Sequence, residues 1–321
     1  MFYEIVLPLI LGLAVFLFGM KTMEFALHLW AGPYLQRVLH RFTKTPMHGM
    51  LFSSVMTAAM QSSTAITVIA IGLVNAGLVT FPRTLGIILG TNIGTCLTTE
   101  LIGLDITHYA LPLLLLSITA WMWGVIADDI IPNIIPRVQH WWKPLQYASI
   151  ALAGFSLVLL GMEWMKTISE PLQERGMFTW FLERSQESLV WALLAGMIIT
   201  ALVHSSAAII AMAMGLAATG ALPVEVGIAI VIGSNVGTCF TALIASLGGS
   251  RSGQYVAWSH IVLNVGGALL FYPFIDQLHH AASLMSSQEA GQIARAQTIF
   301  NIASSIAALP LCYLSVWKRL R

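Results

Sequence analysis

Apolar runs of about twenty residues recur from one end of this chain to the other, nearly bare of charge, and as helices they match the thickness of a bilayer's hydrocarbon core. They fall at roughly 5–27, 47–78, 84–103, 107–127, 145–165, 188–218, 225–247, 255–275 and 292–317, and none alternates as a strand would. Composition closes off the water-soluble alternative: 57% of the residues are hydrophobic and 9% charged, against about 25% charged in soluble domains. With so little charge to coat it, the chain must take lipid as its solvent, and lipid admits only helices or closed barrels. The expected fold class is therefore an all-α polytopic protein of the plasma (inner) membrane. Residues 5–20 have no cationic segment before them and no small-x-small site after them, so they read as a first span and not as a cleavable signal. Nothing resembles a basic nucleic-acid patch, and Cys96, Cys239 and Cys312 match no metal-site spacing and read as free thiols.

Two runs, 47–78 and 188–218, are too long for one span and too short for two. Each carries a polar cluster at its middle, Gln61-Ser62-Ser63-Thr64 in one and His204-Ser205-Ser206 in the other. Half apolar, polar, half apolar predicts a re-entrant hairpin, whose exposed backbone must lie in protein or face a water-filled cavity. Laid over each other at an offset of 143, residues 61–96 and 204–239 are identical at 14 of 36 positions without a gap. The shared positions include both serine pairs and the later series Asn92, Gly94, Thr95 and Asn235, Gly237, Thr238. Upstream, LFGMKTME (17–24) pairs with LLGMEWMK (159–166). The chain therefore divides into a first repeat unit at 1–127, a linker at 128–144, a second unit at 145–275, and an extra C-terminal helix with a basic tail at 276–321. Each unit makes three crossings, an odd number, so the second should be inverted. Arg37, Arg41 and Lys44 place loop 28–46 in the cytoplasm, and Arg251 with Lys318, Arg319 and Arg321 falls on the same side. The expected topology is N-out and C-in, with seven crossings and two hairpins entering from opposite faces.

Each polar cluster begins a half-helix. The first N–H groups of a helix lack partners and carry the positive end of its dipole, which makes the tip an anion site. Two tips meeting near the midplane would offer a compact set of donors to a small tetrahedral oxyanion: Gln61, Ser62, Ser63 and Thr64 from one, His204, Ser205 and Ser206 from the other. A second polar set, Gly90-Thr91-Asn92-Ile93-Gly94-Thr95 and Gly233-Ser234-Asn235-Val236-Gly237-Thr238, places glycines around an Asn inside an apolar span. That pattern predicts a broken helix, whose carbonyls, with Thr91, Asn92, Thr95, Ser234, Asn235 and Thr238, would be hard oxygen ligands for an alkali cation. Neither cluster holds Lys or Arg. An anion bound by neutral donors in a low-dielectric site is costly, and a nearby cation offsets that cost, so the two ligands should bind cooperatively.

QSST followed by GTNIGT, repeated as HSSA and GSNVGT, resembles the type II sodium/phosphate cotransporters, whose signature is a QSSS-type cluster in each of two inverted repeats. The resemblance spans about residues 5–275. It implies sodium-driven phosphate symport by alternating access, with the QSSS clusters holding phosphate and polar groups nearby holding sodium. Gln61, Ser62 and Ser63 match the first cluster, Thr64 replaces its last serine, and Ser205 and Ser206 match the second. His204 stands where the family has Gln, and Ala207 removes a hydroxyl. The expected partners are inorganic phosphate, sodium and the lipid bilayer, with homodimerisation left open and no cofactor beyond Na+ as coupling ion. Another small oxyanion or a carboxylate as cargo, proton coupling, and phosphate export stay open.

His204 reads either as a neutral stand-in for an amide or as a titrating group near neutral pH. Lys21 and Glu24, and Glu163 and Lys166, are charge-swapped between the repeats. Each pair joins either along its own helix or crosswise between repeats. Glu100 either ends a span or helps hold a cation. A serine hydrolase is disfavoured, since His204 is adjacent to its serine on a helix and cannot face it, and no nucleophile elbow surrounds it. No enzymatic activity is expected. A passive channel is the remaining alternative.

Overall fold

The structure, a computed structural model, describes residues 2–104, 106–130, 139–315 and 317, with backbone alone at 33–42, 129 and 139–140. Residues 131–138 of the expected linker and 318–321 of the basic tail lie outside the described residues.

The fold is all-α. In chain order the helices are α1 (Leu7–Phe42), α2 (Pro46–Met60), α3 (Ser63–Asn75), α4 (Phe81–Ile102), α5 (Ala110–Ile130), α6 (Gln139–Lys166), α7 (Ser169–Gln173), α8 (Gly176–Glu187), α9 (Val190–Val203), α10 (Ser206–Ala218), α11 (Val224–Gly237), α12 (Cys239–Ser246), α13 (Arg251–Phe271), α14 (Ile275–Ser283) and α15 (Glu289–Ala308). Among the described residues six stretches are long and apolar enough to cross a membrane: Phe2–Gly32, Phe81–Ile102, Thr107–Asp128, Trp141–Lys166, Val224–Ser246 and Arg251–Ser283. The protein is thus a polytopic membrane protein. The seventh crossing expected over 292–317 is absent from that set, because α15 carries Gln292, Arg295, Gln297, Thr298, Asn301 and two serines, and its polar groups face other helices.

The chain forms two compact units that cut across the sequence repeats. One comprises residues 1–35 and 105–168, the other 36–104 and 169–321. In the first, α1 and α6 are nearly in backbone contact through four glycines. A Cβ on Gly19 would lie 2.6 Å from the Gly154 carbonyl oxygen, and one on Gly161 2.6 Å from that of Gly12. Small residues are what allow membrane helices to approach this closely. Gly12 and Gly154 are equivalent at the offset of 142, as are Gly19 and Gly161, and they meet crosswise in an antiparallel pair. The charge-swapped residues pair locally: Lys21 Nζ lies 2.6 Å from Glu24 and Lys166 Nζ 3.8 Å from Glu163.

The second unit holds both hairpins. Helix α2 packs on α4 and α9 on α11 by matching contacts. A Cβ on Gly90 would collide with the Met50 carbonyl, and one on Gly233 with that of Leu193. Gly94 abuts Ser54 and Thr57, as Gly237 abuts Met197 and Thr200. Every one of these pairs is related by 143 residues. The hairpins open at opposite ends of α13. Ser250, capping its N-terminus, donates to Asn75 at the end of the first hairpin, whereas Tyr272, just past its C-terminus, meets Ser188 at the start of the second. Twenty-one helical residues separate those ends by about 30 Å.

Candidate functional site

The tips of the two hairpins share one backbone geometry. Gln61 ends α2 and His204 ends α9 in the left-handed region, with φ of 53° and 57°. Among the described residues they are the non-glycine positions with positive φ, a conformation costing about 1–2 kcal/mol for an L-residue. Ser62 and Ser205 follow in extended conformation and cap the next helices, each hydroxyl oxygen accepting from the N–H three residues on, at 3.3 Å. The N–H groups of Ser63 and Thr64, and of Ser206 and Ala207, sit in the first turn, where a helix supplies them no acceptor. Strain repeated at two related places marks them as positions the surrounding structure enforces.

The first tip opens into a small cavity lined by Ser63, Thr64, Thr67, Thr238, Thr241 and His260, with Val68 and Ala242 as its apolar wall. Its volume of about 10 Å³ has room for roughly one water-sized particle. Polarity differs across it. Thr238 donates its hydroxyl proton to the Asn235 carbonyl at 2.7 Å and Thr241 donates to that of Thr238 at 2.7 Å, which leaves oxygen lone pairs for a cation. The tip offers N–H and O–H donors. Thr67 Oγ1 and His260 Nδ1 are buried with no hydrogen-bond partner, and each such group costs about 1–3 kcal/mol unless something fills the site.

The other expected site residues fall elsewhere. His204, Ser205 and Ser206 do not line this cavity. Helix α10 packs instead on α4, α11 and α15. Gln61 is tied down, donating to the Ala58 carbonyl at 2.7 Å and accepting from Thr98. The broken helix expected at 90–95 is corrected: α4 runs unbroken from Phe81 to Ile102. Its glycines serve close approach to α2. Thr91 and Thr95 donate to Ile88 and Thr91 carbonyls of their own helix, and Asn92 donates to Asn264 on α13. At the second motif α11 and α12 meet at Thr238, which keeps helical φ and ψ of −64° and −20° and donates its N–H to the Ser234 carbonyl, so no unwound stretch is seen there either. There Asn235 donates to the Val231 carbonyl, and Ser234 Oγ is buried without a partner.

Sequence reasoning missed Thr67, Thr241 and His260, which share the cavity, and Arg295. Arg295 forms an ion pair with Glu100, whose other oxygen accepts from Thr298. Glu100 thus joins α4 to α15. A lone Arg or His inside an apolar run was the available signal, since intramembrane ionisable groups are rarely idle.

The sequence profile of the family described as Na+/Pi-cotransporter matches the chain twice, over residues 15–167 and 157–287. The chain belongs to the Na+/Pi-cotransporter family. A cotransporter family with two matches in one chain agrees with the recurrence of the glycine contacts and tip geometry. Within it, the chain is 30% identical to the "Uncharacterized protein YqeW" of Bacillus subtilis (strain 168), covering 93% of this chain and 92% of that one. It is 24% identical to the "Putative inorganic phosphate export protein YjbB" of Escherichia coli (strain K12), over 95% of this chain and 53% of that protein. The protein of that name from Salmonella typhimurium is 24% identical over 96% and 54%. The chain thus spans about half the length of its YjbB relatives. No solved structure matches it.

Proposed function

We propose that this Na+/Pi-cotransporter family member carries inorganic phosphate coupled to sodium by alternating access, the two repeats being inverted in the membrane. The observation that carries the reading is the cavity at the first tip, where unpartnered N–H and O–H donors of Ser63 and Thr64 face the free lone pairs of Thr238 and Thr241. Donors suit the anion and lone pairs suit the cation, so each ligand lowers the cost of placing the other in a low-dielectric site. Sodium fits the cavity as it stands. Phosphate is too large for it, so α3 must part from α12 and α13 to admit the anion, and the second tip, Ser205 and Ser206, completes its shell in that widened state. Hairpins opening at opposite ends of α13, and glycines meeting crosswise between α1 and α6, support the inverted arrangement.

The names of the YjbB relatives favour a second reading of direction, net export when internal phosphate is high. Both readings are tested by labelled phosphate flux in proteoliposomes, with sodium and proton gradients imposed separately and in each direction. Sodium-dependent accumulation supports the proposal. Accumulation driven by the proton gradient alone would overturn sodium coupling, and preferential competition by sulfate over arsenate would overturn phosphate as cargo.

A further inference from the structure

At the open end of the first hairpin, away from the tip, lies a second cavity of about 370 Å³, lined among others by Lys44, Thr45, Thr80, Arg83, Tyr313 and Trp317. We propose that it is a binding site for a phosphate group that is not the transported one, carried on an anionic phospholipid headgroup or free in solution. Three stretches far apart in sequence build it: the residues leading into α2, the start of α4, and the turn after α15.

Its lining holds two cations and no carboxylate. Lys44 and Arg83 form no ion pair among the described residues, and none is available nearby, because the chain has no Asp or Glu over 25–99, 226–275 or 290–321. Those ranges include every element that meets at this end: α2, α4, the start of α13 with Arg251, and the C-terminal turn. Arg83 is half-buried, and a guanidinium withdrawn from water without a counter-charge is costly until an anion arrives. The Thr80 side chain makes no capping bond to α4. Tyr313 Oη accepts from the Met47 N–H at 3.3 Å, which leaves its proton to donate. Two cations and two hydroxyls around one space match a phosphate's acceptor oxygens, with Arg supplying the bidentate geometry.

The remaining walls are apolar. Pro46, Pro82, Leu314 and the Trp317 ring border the same space, and Phe81 stacks edge-on against Trp317 with centroids 5.7 Å apart. The volume lies in the range of organic-ligand sites, about 300–1,000 Å³. A polar end beside an aromatic, apolar wall fits a phosphate bearing an organic group, and basic recesses beside membrane helices take anionic headgroups in this way. An occupant would tie the start of α2 to the start of α4 and so brace the first hairpin where it opens.

The test uses the full chain purified in detergent. Native mass spectrometry compares retained phosphatidylglycerol and phosphatidylcholine for the wild type, Lys44→Gln with Arg83→Gln, and the control Arg251→Gln. A parallel arm measures the melting shift produced by inorganic phosphate in a Ser63→Ala background, where the transport site is impaired. For a lipid occupant, phosphatidylglycerol is retained over phosphatidylcholine, and the double variant loses about tenfold of that retention while the control keeps it. For a free anion, the phosphate shift persists with Ser63→Ala and vanishes when Arg83→Gln is added. If neither retention nor shift depends on Lys44 and Arg83, the site does not exist. Should Arg83→Gln fail to assemble, Lys44→Gln and Thr80→Val, both at exposed positions, carry the same comparison.

Discussion

Adjacent serines at the tips do different work. Ser62 and Ser205 spend their oxygens capping α3 and α10, whereas Ser63 heads the helix beside the cavity. Ser62→Ala is expected to lower stability by about 1 kcal/mol through loss of the cap, read as a drop in melting temperature. Ser63→Ala should leave that temperature nearly unchanged and raise the KM for phosphate about tenfold, the effect of one charge-assisted hydrogen bond. Equal effects from both would contradict the division of roles. His204 occupies the backbone position that Gln61 holds in the first hairpin, with φ within a few degrees, so the position asks for the left-handed turn and not for an imidazole. His204→Gln should therefore keep both the uptake rate and its pH profile; a flattened profile would make the ring a proton-linked group. The serine clusters were legible in the sequence because polar residues are conspicuous inside apolar runs. Which serine caps and which stays free depends on where the helix starts, and nothing in the sequence marks that residue.

The helices show where local pattern and tertiary context part. The segments expected as hairpins at 47–78 and 188–218 are each two helices meeting at a turn, α2–α3 over 46–75 and α9–α10 over 190–218. The Gly90 and Gly94 pair misled, because glycine serves a broken helix and a close helix contact equally well, and only the partner helix decides between them. Gly90→Ala would drive a methyl into Ser53 and the Met50 carbonyl. It should destabilise by about 1–3 kcal/mol, measured as thermal unfolding in detergent, whereas Gly72→Ala, with open space around it, should be nearly neutral. The Glu100–Arg295 pair, which spans most of the chain's length, was equally out of reach of local pattern. Glu100→Gln strands the guanidinium between α4 and α15 and should cost about 2–3 kcal/mol. Reversing both charges, Glu100→Arg with Arg295→Glu, should recover much of that loss; no recovery would mean that the surroundings fix the polarity.

On the scale of the whole molecule, duplication was visible from self-comparison, and the division into compact units was not. Each unit draws on both halves of the sequence, as happens when equivalent elements of two repeats associate with each other more than with their own neighbours. The cavity follows the same rule, with Ser63, Thr64 and Thr67 from one repeat and Thr238, Thr241 and His260 from the other. Under the proposed function, a site assembled from both repeats would join the coupling ion to the cargo directly. The most direct test is phosphate affinity of the purified protein, measured by calorimetry in sodium and again in an impermeant organic cation at equal ionic strength. Sodium should tighten phosphate binding about 5–150-fold, and Thr241→Val, which removes one lone-pair donor while keeping the shape, should abolish most of that gain. Equal affinity in the two salts would contradict a shared cavity as the basis of coupling.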